Sequence, residues 1–214
     1  MPSSANWRTV TYGLVGSTPT YVAIAQTSTA GAYSTNATSW TASTMPSSVQ
    51  WYSVAYGNGY FVAVAAGSTV GAYSINGTTW TASTMPSAST WKITYGNNVF
   101  VATASGTTAG AYSTNGTSWT TNTMPSSSTW QAVGYGNGYF VAVADSSTAG
   151  AYSTNGITWT TNTMPSSVGW DSVAYGNGYF VAVAYNTTSA AYFAFTAALL
   201  PVNFGIYAGP TTIN

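Results

Sequence analysis

The chain has 214 residues, and only four of them are formally charged: Arg8, Lys92, Asp145 and Asp171. With no His and no Cys, a zinc site and a disulfide are excluded, two carboxylates are a poor start for calcium, and acid–base catalysis has almost no parts to work with. Two basic residues far apart do not make the cationic footprint that nucleic acid requires, so no cofactor, no metal and no nucleic-acid partner is expected.

Aromatic residues are 15% of the chain, with 17 Tyr and 9 Trp, and that richness favours packed β-structure over disorder. No run of 18 apolar residues occurs, so no membrane span is expected. The opening MPSSANWRTVTYG has neither a basic nor an apolar leader region, and no export signal is expected from it.

In chain order, MPSS opens the sequence, and TMPSS or a near copy returns with Met45, Met85, Met124 and Met164. A Trp follows each: Trp7, Trp51, Trp91, Trp130 and Trp170, at spacings of 44, 40, 39 and 40. The long first interval comes from YGLVGSTPTYVAIA, four residues longer than the later YGNGYFVAVA. Within the second repeat, residues 51–56 (WYSVAY) predict a first strand and Gly57-Asn58-Gly59 a tight turn, because Asn and Gly tolerate positive φ. Residues 60–66 (YFVAVAA) predict a second strand buried on both faces, and residues 71–74 (GAYS) a third. Asn76-Gly77 turns the chain into a fourth strand over 78–83 (TTWTAS), and TMPSA leads out of the sheet. Four antiparallel strands in about 40 residues is the period of a propeller blade. The expectation is an all-β, five-bladed propeller over residues 1–196, with blades starting near 7, 51, 91, 130 and 170. The segment 197–214 departs from the repeat, and is expected either to close the last blade or to dock onto a partner.

YSTNGTSW at 112–119 and YSTNGITW at 152–159 resemble the Asp-box, or bacterial neuraminidase, repeat, with Asn36, Asn76, Asn115 and Asn155 standing where that motif has Asp. GNGYFVAV together with such hairpins resembles repeats of bacteriophage tail-fibre and other virion surface proteins. The resemblance covers residues 7–192. It implies a propeller fold, and for the four Asn a structural role in the repeat turns. A sialidase is rejected, because such enzymes use three Arg and a Tyr nucleophile supported by Glu. This chain has one Arg and no Glu, and no side chain is expected to activate a tyrosine. The two Asp fall in columns that vary among the repeats: 145 aligns with Gln26, Ala66, Ser105 and Tyr185, and 171 with Arg8, Tyr52 and Gln131, near Lys92. That variation reads as surface solubility and not as a catalytic pair.

Candidate ligand-binding residues are Trp7, Trp51, Trp91, Trp130 and Trp170. Their indoles, beside Asn, Ser and Thr, suit the apolar faces of a neutral glycan, and the competing role is packing between blades. The second series, Trp40, Trp80, Trp119 and Trp159, and the Tyr of each YGNG turn are expected to pack. The function expected is a non-enzymatic virion surface protein, a tail fibre, spike or capsid decoration, attaching through weak multivalent glycan binding. Its partners would be a host-surface glycan or receptor and other virion proteins, the latter possible through residues 197–214. The alternatives are a free propeller-type lectin and a purely structural scaffold.

Overall fold

The computed structural model describes residues 1–195 and the backbone of Gly205–Ile206. All described regular structure is antiparallel β. The first sheet runs β1 (Trp7–Val15), β2 (Thr18–Ala25), β3 (Ser28–Ser34), β4 (Thr41–Val49), in that order. The second repeats it as β5 (Trp51–Gly57), β6 (Tyr60–Ala65), β7 (Ser68–Ser74) and β8 (Thr81–Ser89). The third holds six strands: β9 (Trp91–Gly96), β10 (Val99–Ser113), β11 (Thr120–Gly136), β12 (Tyr139–Ala144), β13 (Ser147–Ser153) and β14 (Thr160–Val168). The last is β15 (Trp170–Gly176), β16 (Tyr179–Ala184), β17 (Ala190–Phe193) and β18 (Gly205–Ile206).

The propeller is therefore built from four hydrogen-bonded sheets, and the expectation of five four-stranded blades is corrected. The reason is local. In the third and fourth sequence repeats, β10 runs unbroken through Gly106 and β11 runs unbroken from the MPSS segment into Trp130. The other repeats interrupt their strands at these places, at Gln50, Thr90 and Gly169 for example. Continuous strands carry the ladder across, so residues 91–168 form one sheet. The segment 197–214, expected to close a blade or dock, lies outside the described residues apart from Gly205–Ile206, whose backbone pairs with Ala191 and Tyr192.

Three sequence devices make each repeat. The YGNG turn places Asn58 and Gly59 at φ of 48° and 79°, the pair of left-handed residues a two-residue hairpin needs. In the second hairpin, the Asn115 side-chain oxygen accepts the backbone N–H groups of Thr117 (2.9 Å) and Ser118 (3.0 Å), while the Ser113 hydroxyl donates to that oxygen (3.0 Å) and accepts from the Gly116 N–H (2.9 Å). Asn36, Asn76 and Asn155 accept in the same way. The third device differs from expectation. MPSS does not leave the sheet. It extends the outer strand past a register shift, with Met45, Met85, Met124 and Met164 buried. The carbonyls of Ser47, Ser87, Ser126 and Ser166 accept the indole N–H of Trp51, Trp91, Trp130 and Trp170 at 3.0–3.2 Å. One motif thus fills core volume and satisfies the polar atom of the largest buried side chain.

The core lies between successive repeats. Val22 and Ile24 of β2 pack with Trp51, Val54, Phe61 and Trp80, and Val62 and Val64 of β6 pack with Trp91, Ile93 and Phe100. A second strand in the middle of the array, such as β6, is thus covered on one face by the preceding repeat and on the other by the next, which is why YFVAVA is apolar on both faces.

Candidate functional site

The first strand of each repeat packs beside the first strand of the next: β1 on β5, β5 on β9, β9 on β11, β11 on β15. The ladders of β1, β5, β11 and β15 all slip by one residue directly after the opening Trp, between Trp7 and Thr9, Trp51 and Ser53, Trp130 and Ala132, and Trp170 and Ser172. The skipped residue is a bulge, which has no ladder partner and whose side chain is re-aimed. Those residues are Arg8, Tyr52, Gln131 and Asp171. The third repeat is one residue shorter here, β9 has no bulge, and Lys92 pairs directly with Thr103.

These five residues line a single cavity of about 370 Å³ on the axis, along with Thr9, Ser53 and Ser172. Lys92 is buried, and its Nζ lies 3.5 Å from the centre of the Tyr52 ring. The Arg8 guanidinium carbon lies 4.2 Å from that same centre. One aromatic ring thus takes two cations, an arrangement favoured by its negative face. Across the cavity, Gln131 Nε2 donates to Asp171 Oδ1 at 3.1 Å.

Burial by itself would raise the Tyr52 hydroxyl, but contact with Lys92 and the charge of Arg8 more than offset it, and its pKa is held below the ordinary 10.0. Burial lowers Lys92 from 10.5; Tyr52 and Asp171 oppose the shift, Arg8 adds to it, and the net is downward. The reading of this column as plain surface is corrected in part. Asp171 and Arg8 are exposed, as that reading has it, but they also line a concavity shared with Lys92, which is buried. Asp145 stands apart, accepting from the Ser146 hydroxyl at 2.9 Å.

The Trp candidates are placed elsewhere. Trp51, Trp91, Trp130 and Trp170 are wholly buried between repeats, so their rings offer no face to a sugar. Trp7 is half-buried, and its indole donates to the Ser3 carbonyl at 3.3 Å. Asn36, Asn76, Asn115 and Asn155 hold the hairpins described above. Sequence reasoning missed Tyr52 and Gln131 as site residues. The available signal was the single column after each Trp, whose variation between repeats was taken for exposure to bulk water. A column lining one asymmetric cavity varies for a different reason, since each repeat supplies a different wall.

Among the described residues no group of three or more acidic, His or Cys side chains could hold a metal, and no helix is long and apolar enough to cross a membrane.

No protein-family model matches the chain, and no curated protein matches its sequence. Solved structures do resemble it. A catalytically inactive His-to-Ala variant of virginiamycin B lyase from Staphylococcus aureus, with quinupristin, superposes with a TM-score of 0.81 at 15% identity, over 97% of this chain and 71% of that one. YCF48 bound to D1 peptide gives 0.70 at 12% identity, over 96% and 67%. The computationally designed Ika4 protein gives 0.53 at 14%, over 68% and 91%. At these identities the likeness shows the β-propeller fold and nothing finer.

Proposed function

We propose that the chain is a non-enzymatic binding propeller whose axial cavity receives a small ligand carrying an anionic group. One observation carries this reading: of the four formally charged side chains in 214 residues, three, Arg8, Lys92 and Asp171, line one cavity. A buried lysine is costly unless something compensates for its lost hydration, so its presence in an otherwise neutral chain points to use. Arg8 and Lys92 supply charge-assisted donors to a carboxylate or phosphate, with Tyr52 holding both cations. Gln131 and Asp171 offer a polar wall for a hydroxyl or amine on the same ligand.

Catalysis is not part of the proposal. Lys92 and Arg8 both face the Tyr52 ring, and the chain has no His or Glu to move a proton beside them. The lyase neighbour is described as inactive when a histidine is replaced, and this chain has no His at all. An attachment role remains part of the proposal, moved from a neutral glycan on the Trp series to an anion-bearing ligand on the axis. Location on a virion rests on the resemblance of the repeats and is tested by looking for the chain in purified particles.

The binding experiment is isothermal titration at low salt with succinate, inorganic phosphate and N-acetylneuraminic acid as separate probes. The expected result is saturable one-to-one binding of at least one probe, weakened about tenfold by Lys92→Gln or Arg8→Gln, since losing one charge-assisted contact costs on the order of 1.4 kcal/mol. Silence with all three probes, or equal binding by both variants and the parent chain, overturns it.

A further inference from the structure

The interfaces between successive repeats share one construction. The tyrosine of each YG pair lies flat against the glycine of the preceding repeat's pair: Tyr56 on Gly13, Tyr95 on Gly57, Tyr135 on Gly96, Tyr175 on Gly136, so close that a Cβ at any of these glycines would come within 2.3 Å of the ring. The turn asparagine then reaches forward to the next repeat's hairpin, Asn58 to the Thr114 carbonyl (3.2 Å), Asn97 to Thr154 (3.3 Å) and Asn137 to Phe195 (3.5 Å). Second-strand valines complete the contact: Val62 and Val64 are 0% exposed.

At the two ends the halves of this interface stand unmatched. Gly176 has open space where the other four glycines have a ring, and Asn177 makes no forward bond among the described residues. Val181 and Val183 are 43% and 47% exposed. Val181 borders an apolar groove of about 450 Å³ with Gly176, Tyr179 and Tyr192. At the other end Tyr12, whose counterparts each sit on a glycine, is 48% exposed, and Val10 and Leu14 beside it are also in solvent. An apolar surface repeated inside the molecule and left bare outside it marks an interaction site.

We infer that the bare face of the last sheet receives the first sheet of a second copy of this chain, with Tyr12 of one copy seated on Gly176 of the other. The occupant is argued from continuity. The two end faces are the donor and acceptor halves of a contact the chain makes four times within itself, so the surface that fits the groove is the chain's own β1. The charges on the two end sheets near these faces, Arg8 on β1 and Asp171 on β15, both lie at the axial margin and are opposite in sign, so little repulsion opposes the approach. The contact joins different surfaces of the two copies and is heterologous. Two of the propellers this chain resembles are longer than it, since it spans 71% and 67% of them. That remainder is far less than a whole second copy, so a flat closed ring has no room, and successive copies must rise along the axis into an open-ended assembly.

The test is light scattering coupled to size exclusion across a concentration series. The parent chain is expected to grow past a dimer as concentration rises. A Val181→Lys/Val183→Lys variant blocks one face and a Tyr12→Lys/Leu14→Lys variant the other, all at exposed positions. Each alone is expected to be monomeric with unchanged near-ultraviolet circular dichroism, and an equimolar mixture to give a heterodimer and nothing larger. Gly176→Leu fills the seat without adding charge, and is expected to act as the first variant does. A parent chain that stays monomeric throughout, a mixture that fails to pair, or a blocked variant that still associates overturns the inference.

Discussion

β6 and β16 have the same sequence, YFVAVA, yet every residue after the tyrosine is buried in β6, while alternate residues are exposed in β16. β12, again YFVAVA, matches β6. The hexapeptide is not what differs. β6 and β12 each have a following repeat packed on their outer face, and among the described residues β16 has none. A strand apolar on both faces is thus a request for two neighbours, and the end of the array is where one request goes unmet.

That contrast can be broken by paired substitutions. The largest effect is expected from the indoles: Trp130→Ala should cost about 3–5 kcal/mol, as for a fully buried aromatic, and Trp7→Ala, half-buried at the free end, clearly less. Urea unfolding of the two variants checks this, and equal losses would dissolve the distinction between middle and end. Next come the glycines. Gly57→Val drives a side chain into the Tyr95 ring and should cost about 1–3 kcal/mol or more, whereas Gly176→Val meets open space and should stay within about 0.5 kcal/mol. Asn115→Ala and Asn36→Ala sharpen the comparison from the other side. Each removes two N–H acceptances made within its own hairpin, so both should cost about 1 kcal/mol regardless of position in the array.

The smallest effect is on pH. Lys92 is lowered from 10.5 by burial in the folded chain. Between its depressed value and 10.5 the unfolded chain therefore binds more protons, and stability rises with pH. Tyr52, also lowered, favours the folded chain with the same sign on approach to 10.0 and above. Lys92→Met should flatten the rise, read as the difference in urea midpoint between variant and parent from neutral to alkaline pH. Anion binding should run the opposite way, weakening over the same range as Lys92 loses its charge.

Much of the fold was legible because the repeat writes each local decision several times. Asn58-Gly59 and Asn76-Gly77 marked turns by the φ they tolerate, and YFVAVA marked a doubly buried strand. The number of sheets was not legible. Whether a strand breaks at Gly106 or before Trp130 depends on small differences in ladder continuity that composition does not express. The role of MPSS was missed because a proline beside serines reads as a connection, while burial of the methionine and the use of a serine carbonyl by an indole appear only once the strands are side by side. The site was missed for a related reason. Arg8, Tyr52, Lys92, Gln131 and Asp171 are about 40 residues apart in sequence, and one column of a repeat looks the same whether it faces bulk water or a common axis.

The sequence alone determined the class of structure and the small inventory of charged side chains, because strand period, turn residues and side-chain inventory are local properties. Only the tertiary structure decided that three of four charges meet in one cavity, that Trp51, Trp91, Trp130 and Trp170 are core, and that among the described residues the two ends are bare. Each of these depends on which distant repeats become neighbours, and proximity through space is a property of the packed array and not of any single repeat.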